Sequence, residues 1–410
     1  MFPLFITCSS LSSRTPIGVQ TRLFLEEFPD ARHLFWEQDE FKFTGSHSTR
    51  AESALYSWFT LFKLKLASKR IWNQTSQSTT KDSPPVPTLG LPKMGFSWWA
   101  GNSVLKPRFE MRIVNRYASK VSAIYAAPLS IHECERMKSI LISLGKPFVI
   151  HLWDIKDKEQ GSSAAFRWLL ENAAHVFCLS EAMIDYVHPF RSDATVLRFM
   201  RKPSDYSGAP PENGVLRIAL LGNQKNYWDG LSVLRDALSI LRERKIPAEV
   251  VHVGAKNKMR GGLPYLSHKV RMTGFLRSDE DRDRVLATCH IGFLSGPLLP
   301  PRECNFSRFS IPSRIVDYLA VGLPVVATIH SDSATAIYMR KHGLEDAMVG
   351  GSAERTAERL IALGNAHYWR TESEASRRGF TSSQQEKGNL KYWLECAAAN
   401  VQKQESLCIT

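Results

Sequence analysis

Three observations predict an α/β protein of two domains, each a parallel sheet wrapped by helices. Short apolar runs alternate with helical patterns through most of the chain, as in units where each strand is followed by a crossover helix. At 410 residues the chain exceeds the size at which one hydrophobic core usually stops growing. Residues 202–214 are rich in Pro, Gly and polar side chains and carry no apolar period to bury, which marks a linker near the middle. Hydrophobic residues at 43% and charged residues at 23% lie in the ordinary globular range, which excludes a disordered or fibrous chain.

Residues 2–7 open as an apolar strand; they lack a basic leader and run into Ser-rich sequence, so they read as buried structure and not as a signal peptide. A loop over residues 12–20 precedes a helical pattern at 21–28. Gly18 in that loop permits either close approach of a ligand or a simple tight turn. Residues 45–120 are aromatic, basic and Ser/Thr/Pro-rich and fit no strand-helix-strand unit, so they read as an insertion. Within them, 55–72 interleaves aromatics with Lys and Arg, which suits peripheral contact with an anionic membrane or a core helix with a basic outer face.

Further strands are expected at 121–125, 148–152 and 176–179 in the first half. The second half gives strands at 216–221, 249–253, 270–273, 291–294 and 325–329, with helices at 231–244 and 279–288 between them. A last helical pattern, 389–401, could pack back across the domain seam. The resulting boundaries are a first domain at 1–200, a linker at 201–214, a second domain at 215–380 and a C-terminal helix and tail at 381–410.

A net charge of +13 favours an anionic partner, whether nucleic acid, acidic lipid or a phosphorylated small molecule. The basic residues are spread along the chain without a helix-turn-helix, zinc or RNA-binding signature, so no nucleic-acid partner is expected. Seven scattered cysteines with no C-x-x-C pair indicate neither a disulfide framework nor a zinc site. No segment is long and apolar enough to span a bilayer, and the expected location is cytoplasmic, with peripheral membrane contact in reserve.

The richest chemistry lies in residues 309–328. Pro312 suits a first helical position, Gly322 can supply a left-handed cap, and Pro324 bars continuation of the helix into Val325-Val326-Ala327. Ser313 and Asp317, four apart, share one face with Arg314 alongside. Backbone N–H groups at a helix start with the Arg314 fork suit a phosphate, and Asp317 one turn deeper suits a ribose diol. An ordinary amphipathic helix with solvated Ser, Arg and Asp fits the same residues.

Together, Leu220-Leu221-Gly222-Asn223, residues 270–275, Pro312-Ser313-Arg314 and residues 317–326 resemble the donor-binding domain of GT-B glycosyltransferases. The resemblance implies two Rossmann-like domains facing across a cleft, and transfer of a sugar from a nucleotide-diphosphate sugar to a hydroxyl acceptor: a glycan, a lipid-linked sugar or a small molecule. It implies no metal and no cofactor beyond the donor, retention at the anomeric carbon, and a place in polysaccharide biosynthesis. Ser313 and Arg314 would then meet the diphosphate and Asp317 the ribose, with Asn223 and Lys225 near the phosphates and Gly274 and Phe275 beside the base. Gly18 would lie at the cleft near phosphates and acceptor.

His151-Leu152-Trp153-Asp154 ends a strand on the ligand side of an open sheet and resembles a His-Asp element of these enzymes. His151 would hydrogen-bond the sugar or its phosphate and Asp154 would orient the ring or meet an acceptor hydroxyl, although a structural histidine fits the same sequence. Ser180 reads as a helix cap. The chain departs from the pattern at Phe309, where related retaining enzymes often carry a glutamate, and at Lys225, a residue off the usual spacing. G-x-G-x-x-G is absent, which sets a dinucleotide dehydrogenase aside. A nucleotide-sugar epimerase of the same architecture and a degenerate, non-catalytic GT-B binding protein remain as alternatives.

Overall fold

The computed structural model describes residues 2–7, 20–21, 23–25, 27–28, 30–35, 88–90, 118–155, 160–212, 214–222, 228–254, 270–274, 276, 278–385 and 389–407. Gly18, Asn223, Lys225, Phe275, the segment 55–72 and most of the expected insertion lie outside them. The chain divides into two compact units: residues 1–179, 183–200 and 387–410 form the first, and 180–182 with 201–386 the second.

Seven parallel strands build the first unit's sheet: β1 (Phe2–Thr7), β2 (Arg32–Phe35), β3 (Thr88–Gly90), β4 (Val121–Ala127), β5 (Phe148–Leu152), β6 (His175–Cys178) and β7 (Thr195–Val196). Their order is β3-β2-β1-β4-β5-β6-β7, so the order reverses between β1 and β4. Every residue of β5 and β6 is buried, as expected for strands covered on both faces.

Helix α1 (Ile131–Leu144) starts at a capping box in which the Ser130 hydroxyl accepts the Glu133 N–H and the Glu133 carboxylate accepts the Ser130 N–H. It buries Cys134, Met137, Ile140, Leu141 and Leu144 on one face and ends at Gly145 with φ 57°. It packs beside α2 (Ala164–Asn172), which is capped by Ser163. Helix α3 (Glu181–Val187) follows β6.

The second unit holds five parallel strands: β8 (Leu216–Leu221), β9 (Ala248–Val253), β10 (Val270–Gly274), β11 (Ile291–Ser295) and β12 (Val325–Thr328). They lie in the order β10-β9-β8-β11-β12, reversing between β8 and β11. Around them run α4 (Trp228–Glu243), α5 (Asp279–Ala287), α6 (Asn305–Phe309), α7 (Arg314–Ala320), α8 (Ala334–Lys341), α9 (Ala353–Ala362) and α10 (Ala366–Ser383). Leu231, Leu234, Leu238 and Leu241 of α4 meet Ala357 and Leu360 of α9 over Ile218, Val250 and Phe293, forming one continuous core. The last helix, α11 (Asn389–Leu407), belongs to the first unit and packs on β4 and β5.

Among the described helices none is long and apolar enough to cross a membrane. No group of three or more His, Cys, Asp or Glu side chains among the described residues is arranged to hold a metal ion. Cys134, Cys178 and Cys289 are buried thiols outside any disulfide.

Candidate functional site

In an open parallel sheet the carboxyl ends of the strands, at the point where strand order reverses, form the usual ligand crevice. The second unit's reversal lies between β8 and β11, and these strands pair only through Ile291 with Ile218 and Gly292 with Ala219. Beyond that pairing, a single side chain satisfies backbone groups of both strands. The Tyr318 hydroxyl accepts the Leu221 N–H at 2.9 Å and lies within donating distance of the Phe293 carbonyl at 3.1 Å and the Ala219 carbonyl at 3.2 Å. Burial raises the pKa of this phenol, which keeps it protonated and able to donate.

Tyr318 reaches the sheet because position 292 has no side chain: a Cβ there would sit 2.4 Å from the Tyr318 ring. Helix α7 is thereby pinned over the switch point. Its end is built as the sequence expects, with Gly322 at φ 67° and its N–H on the Leu319 carbonyl. The Ser373 hydroxyl of α10 caps the Gly322 carbonyl at 2.7 Å. The helix begins at Arg314, two residues later than Pro312 would allow, and Ser313 makes no side-chain cap bond.

Glycines clear the same edge of side chains. Gly222, Gly254 and Gly296 directly follow β8, β9 and β11, and Gly274 ends β10. A Cβ on Gly254 would lie 3.1 Å from the Gly222 carbonyl, and one on Gly230 3.0 Å from the Gly296 nitrogen. Backbone therefore approaches backbone where a ligand would enter. Buried His252 of β9 places its Nε2 3.0 Å from the Gly222 carbonyl, which fixes the proton on Nε2; burial lowers its pKa against the pull of that carbonyl.

Arg314 is buried, and its Nη2 donates to the Ser295 carbonyl at the carboxyl end of β11. Asp317, one turn on, is paired with two arginines: Arg201, the first residue of the second unit's main segment, and Arg282 of α5 at 3.1 Å. Arg201 also pairs with Asp283, while Arg282 reaches Asp279 at 3.1 Å. Burial works against the charge of Arg201, but Asp317 and Asp283 outweigh it and raise its pKa further. Gly274 closes β10 at φ 75°, past a register shift against β9.

His151 occupies a different environment from the one the sequence suggests. Its ring is fully buried among Tyr125, Trp153, Phe24 and Phe177. Nε2 lies 3.0 Å from the Leu197 carbonyl, so it carries the proton, and Nδ1 accepts from the Tyr125 hydroxyl at 2.8 Å. Trp153 Nε1 donates to the same hydroxyl at 3.2 Å. Burial holds the His151 pKa down to about 3, against the Leu197 bond, so the ring is neutral at pH 7. With both nitrogens engaged and no face open, it acts as a strut between β4, β5 and the segment after β7. Asp154 is partly buried and accepts the Ile155 N–H. Ser180 does not cap its helix: its hydroxyl donates to the Phe309 carbonyl at 2.8 Å, and both residues belong to the second unit.

Residues 216–365 match the family model "Glycosyl transferases group 1". This segment is similar to a group 1 glycosyltransferase domain. It contains the whole five-stranded sheet, the switch point and α7. No curated protein matches the sequence. Among solved structures, HepE from Anabaena in complex with UDP and glucose superposes with a TM-score of 0.63 at 14% identity, over 99% of each chain. A glycosyltransferase from Rickettsia africae gives 0.58 at 11% identity over 96% of this chain and 98% of its own. TarM gives 0.61 at 10% identity over 97% of this chain and 99% of its own. These likenesses establish the fold: two units, each built on a parallel sheet, as in GT-B glycosyltransferases.

Arg201, Arg282 and Asp283 escape a reading of the sequence. Arg282 and Asp283 sit in the charged run Asp279-Glu280-Asp281-Arg282-Asp283-Arg284, which reads as a solvated helix face. Glycines after β8, β9 and β11 were the available signal for the stripped sheet edge, since a glycine at each strand end suits close backbone approach.

Proposed function

We propose that this protein is a glycosyltransferase that takes a nucleotide-diphosphate sugar at the carboxyl edge of the second sheet and transfers the sugar to a hydroxyl acceptor. The observation that carries the reading is α7 pinned by Tyr318 over the β8–β11 switch point, within the group 1 domain, with Arg314 at the end of β11 and Asp317 one turn further on. A glycine-lined edge supports it, because diphosphate and ribose must approach backbone closely. HepE, solved with UDP-glucose, offers one donor of the right class.

In this reading Asp317 accepts hydrogen bonds from the ribose hydroxyls, and Arg314 with Ser313 counters the charge of the departing diphosphate. Catalysis then comes from positioning and from charge stabilisation at the leaving group. Gly18, Asn223, Lys225, Gly274 and Phe275 complete the donor site, and Asp154 belongs to the acceptor side. His151 serves as a support beneath that side. Transfer proceeds with retention at the anomeric carbon, which NMR of the product reads directly.

Calorimetry and thermal shift against UDP, GDP, ADP, TDP and their sugars test the reading, with Asp317→Ala beside the parent. Selective binding by the parent, weakened about 10- to 100-fold in the variant, is expected for hydrogen bonds to a charged group. A folded parent that binds none of these nucleotides would remove the reading.

A further inference from the structure

The two arginines at Asp317 meet the carboxylate in an unusual way. A guanidinium that serves only to bridge helices gains most from a fork, with two parallel N–H bonds to the two carboxylate oxygens. Here both side chains converge on one oxygen: Arg201 Nη1 and Arg282 Nη2 each meet Asp317 Oδ1. Among the described residues no hydrogen bond is made to Oδ2. The Asp317 and Arg282 side chains each keep 17% of their surface exposed, whereas Arg201 and Asp283 keep 8% each, so solvent reaches the network more at Asp317 than behind it.

The arginines are themselves fixed from behind. Arg201 Nη2 pairs with Asp283, Arg282 Nη1 with Asp279 at 3.1 Å, and Arg282 Nε lies 3.7 Å from Asp283. The Arg201 backbone N–H donates to the Gln384 side chain at 2.8 Å. Two cations held on Oδ1 set the rotation of the carboxylate plane. An aspartate is one methylene shorter than a glutamate and has less freedom to find a diol for itself, so its orientation matters more.

We propose that Arg201 and Arg282 are positioning residues that orient Asp317, presenting Oδ2 as the acceptor for the ribose diol of the donor nucleotide. The proposal rests on the donor-site reading above and adds to it the group that decides ribose recognition.

The test compares binding of UDP, GDP and ADP with their 2′,3′-dideoxy forms by calorimetry, in the parent, Asp317→Ala, Arg282→Gln, Arg282→Lys and the double variant D317A/R282Q, each checked for folding by circular dichroism. The parent is expected to prefer the ribonucleotide by about 10-fold or more, the range for a hydrogen bond to a charged group. Asp317→Ala should erase that ratio. Arg282→Gln should cut it several-fold with affinity for the dideoxy form unchanged, Arg282→Lys should restore part of it, and the double variant should lose no more than D317A alone. A merely structural arginine would instead weaken both nucleotide forms together. An Arg282→Gln protein that keeps the full ratio while Asp317→Ala loses it overturns the positioning role and leaves the donor-site reading standing. A parent without any ribose preference, or without nucleotide binding, overturns both.

Discussion

Tyr318 shows how one side chain can define a site it does not itself line. Its hydroxyl takes the Leu221 N–H where β8 and β11 cease to pair, and its ring fills the space that Gly292 leaves open. Tyr318→Phe removes the hydroxyl that accepts the buried Leu221 N–H and is expected to cost roughly 1–3 kcal/mol in urea unfolding. Gly292→Ala drives a methyl to within 2.4 Å of the ring and should cost a similar amount, about 1–3 kcal/mol, by overpacking. The two sites touch, so the double variant G292A/Y318F should depart from additivity. An unchanged unfolding midpoint in both single variants would show that the switch point does not depend on this contact. Neither interaction was legible in the chain, because a tyrosine at helical spacing and a glycine in an apolar run do not announce each other across 26 residues of sequence.

At the scale of elements the sequence carried more. The strands at 2–7, 148–152 and 216–221 fall where their apolar runs end, and the others shift by only a residue or two. Arg32–Phe35, Thr88–Gly90 and Thr195–Val196 escaped notice, the first because Arg-His breaks the apolar run, the second because it lies within the stretch read as an insertion, and the third because two residues carry no period. Helix α7 was legible from Gly322 and Pro324, which act locally through backbone geometry. The ion pairs on its Asp317 were not, since partners 35 and 116 residues away leave no periodic trace.

The terminal helix α11 illustrates the same limit. Its pattern marked a helix, but not that Trp393 would stack on His175 of β6, with ring centroids 3.7 Å apart and planes within 5°. Trp393→Ala is expected to lower stability by about 1–3 kcal/mol, the loss of an aromatic pair together with its buried area. Trp393→Phe should recover part of it. Equal urea midpoints for Trp393→Ala and the parent would mean that α11 is held by its other contacts on β4 and β5.

For the whole molecule, pH is the variable through which buried histidines act. Burial holds His151 at about 3 and, with Asp193 opposing and Arg191 assisting, His175 at about 4. In the unfolded chain a histidine titrates near ~6.5. Below that pH the unfolded state binds a proton that the folded ring refuses, so acid favours unfolding. The stability from a neutral His151 is complete above about 6.5 and drains away between there and about 3, at roughly 1.4 kcal/mol per pH unit. The net charge of +13 also grows in acid and adds general self-repulsion, so the histidine contribution must be isolated by substitution. His151→Gln can still donate to the Leu197 carbonyl and accept from the Tyr125 hydroxyl, yet has no proton to gain. Urea unfolding free energies of parent and variant, followed from pH 7 to pH 5, should therefore diverge in slope, with the parent falling about 1.4 kcal/mol per pH unit more steeply below ~6.5. Parallel slopes would mean that His151 takes up its proton in the folded state, and that the buried ring is not the neutral strut its contacts describe.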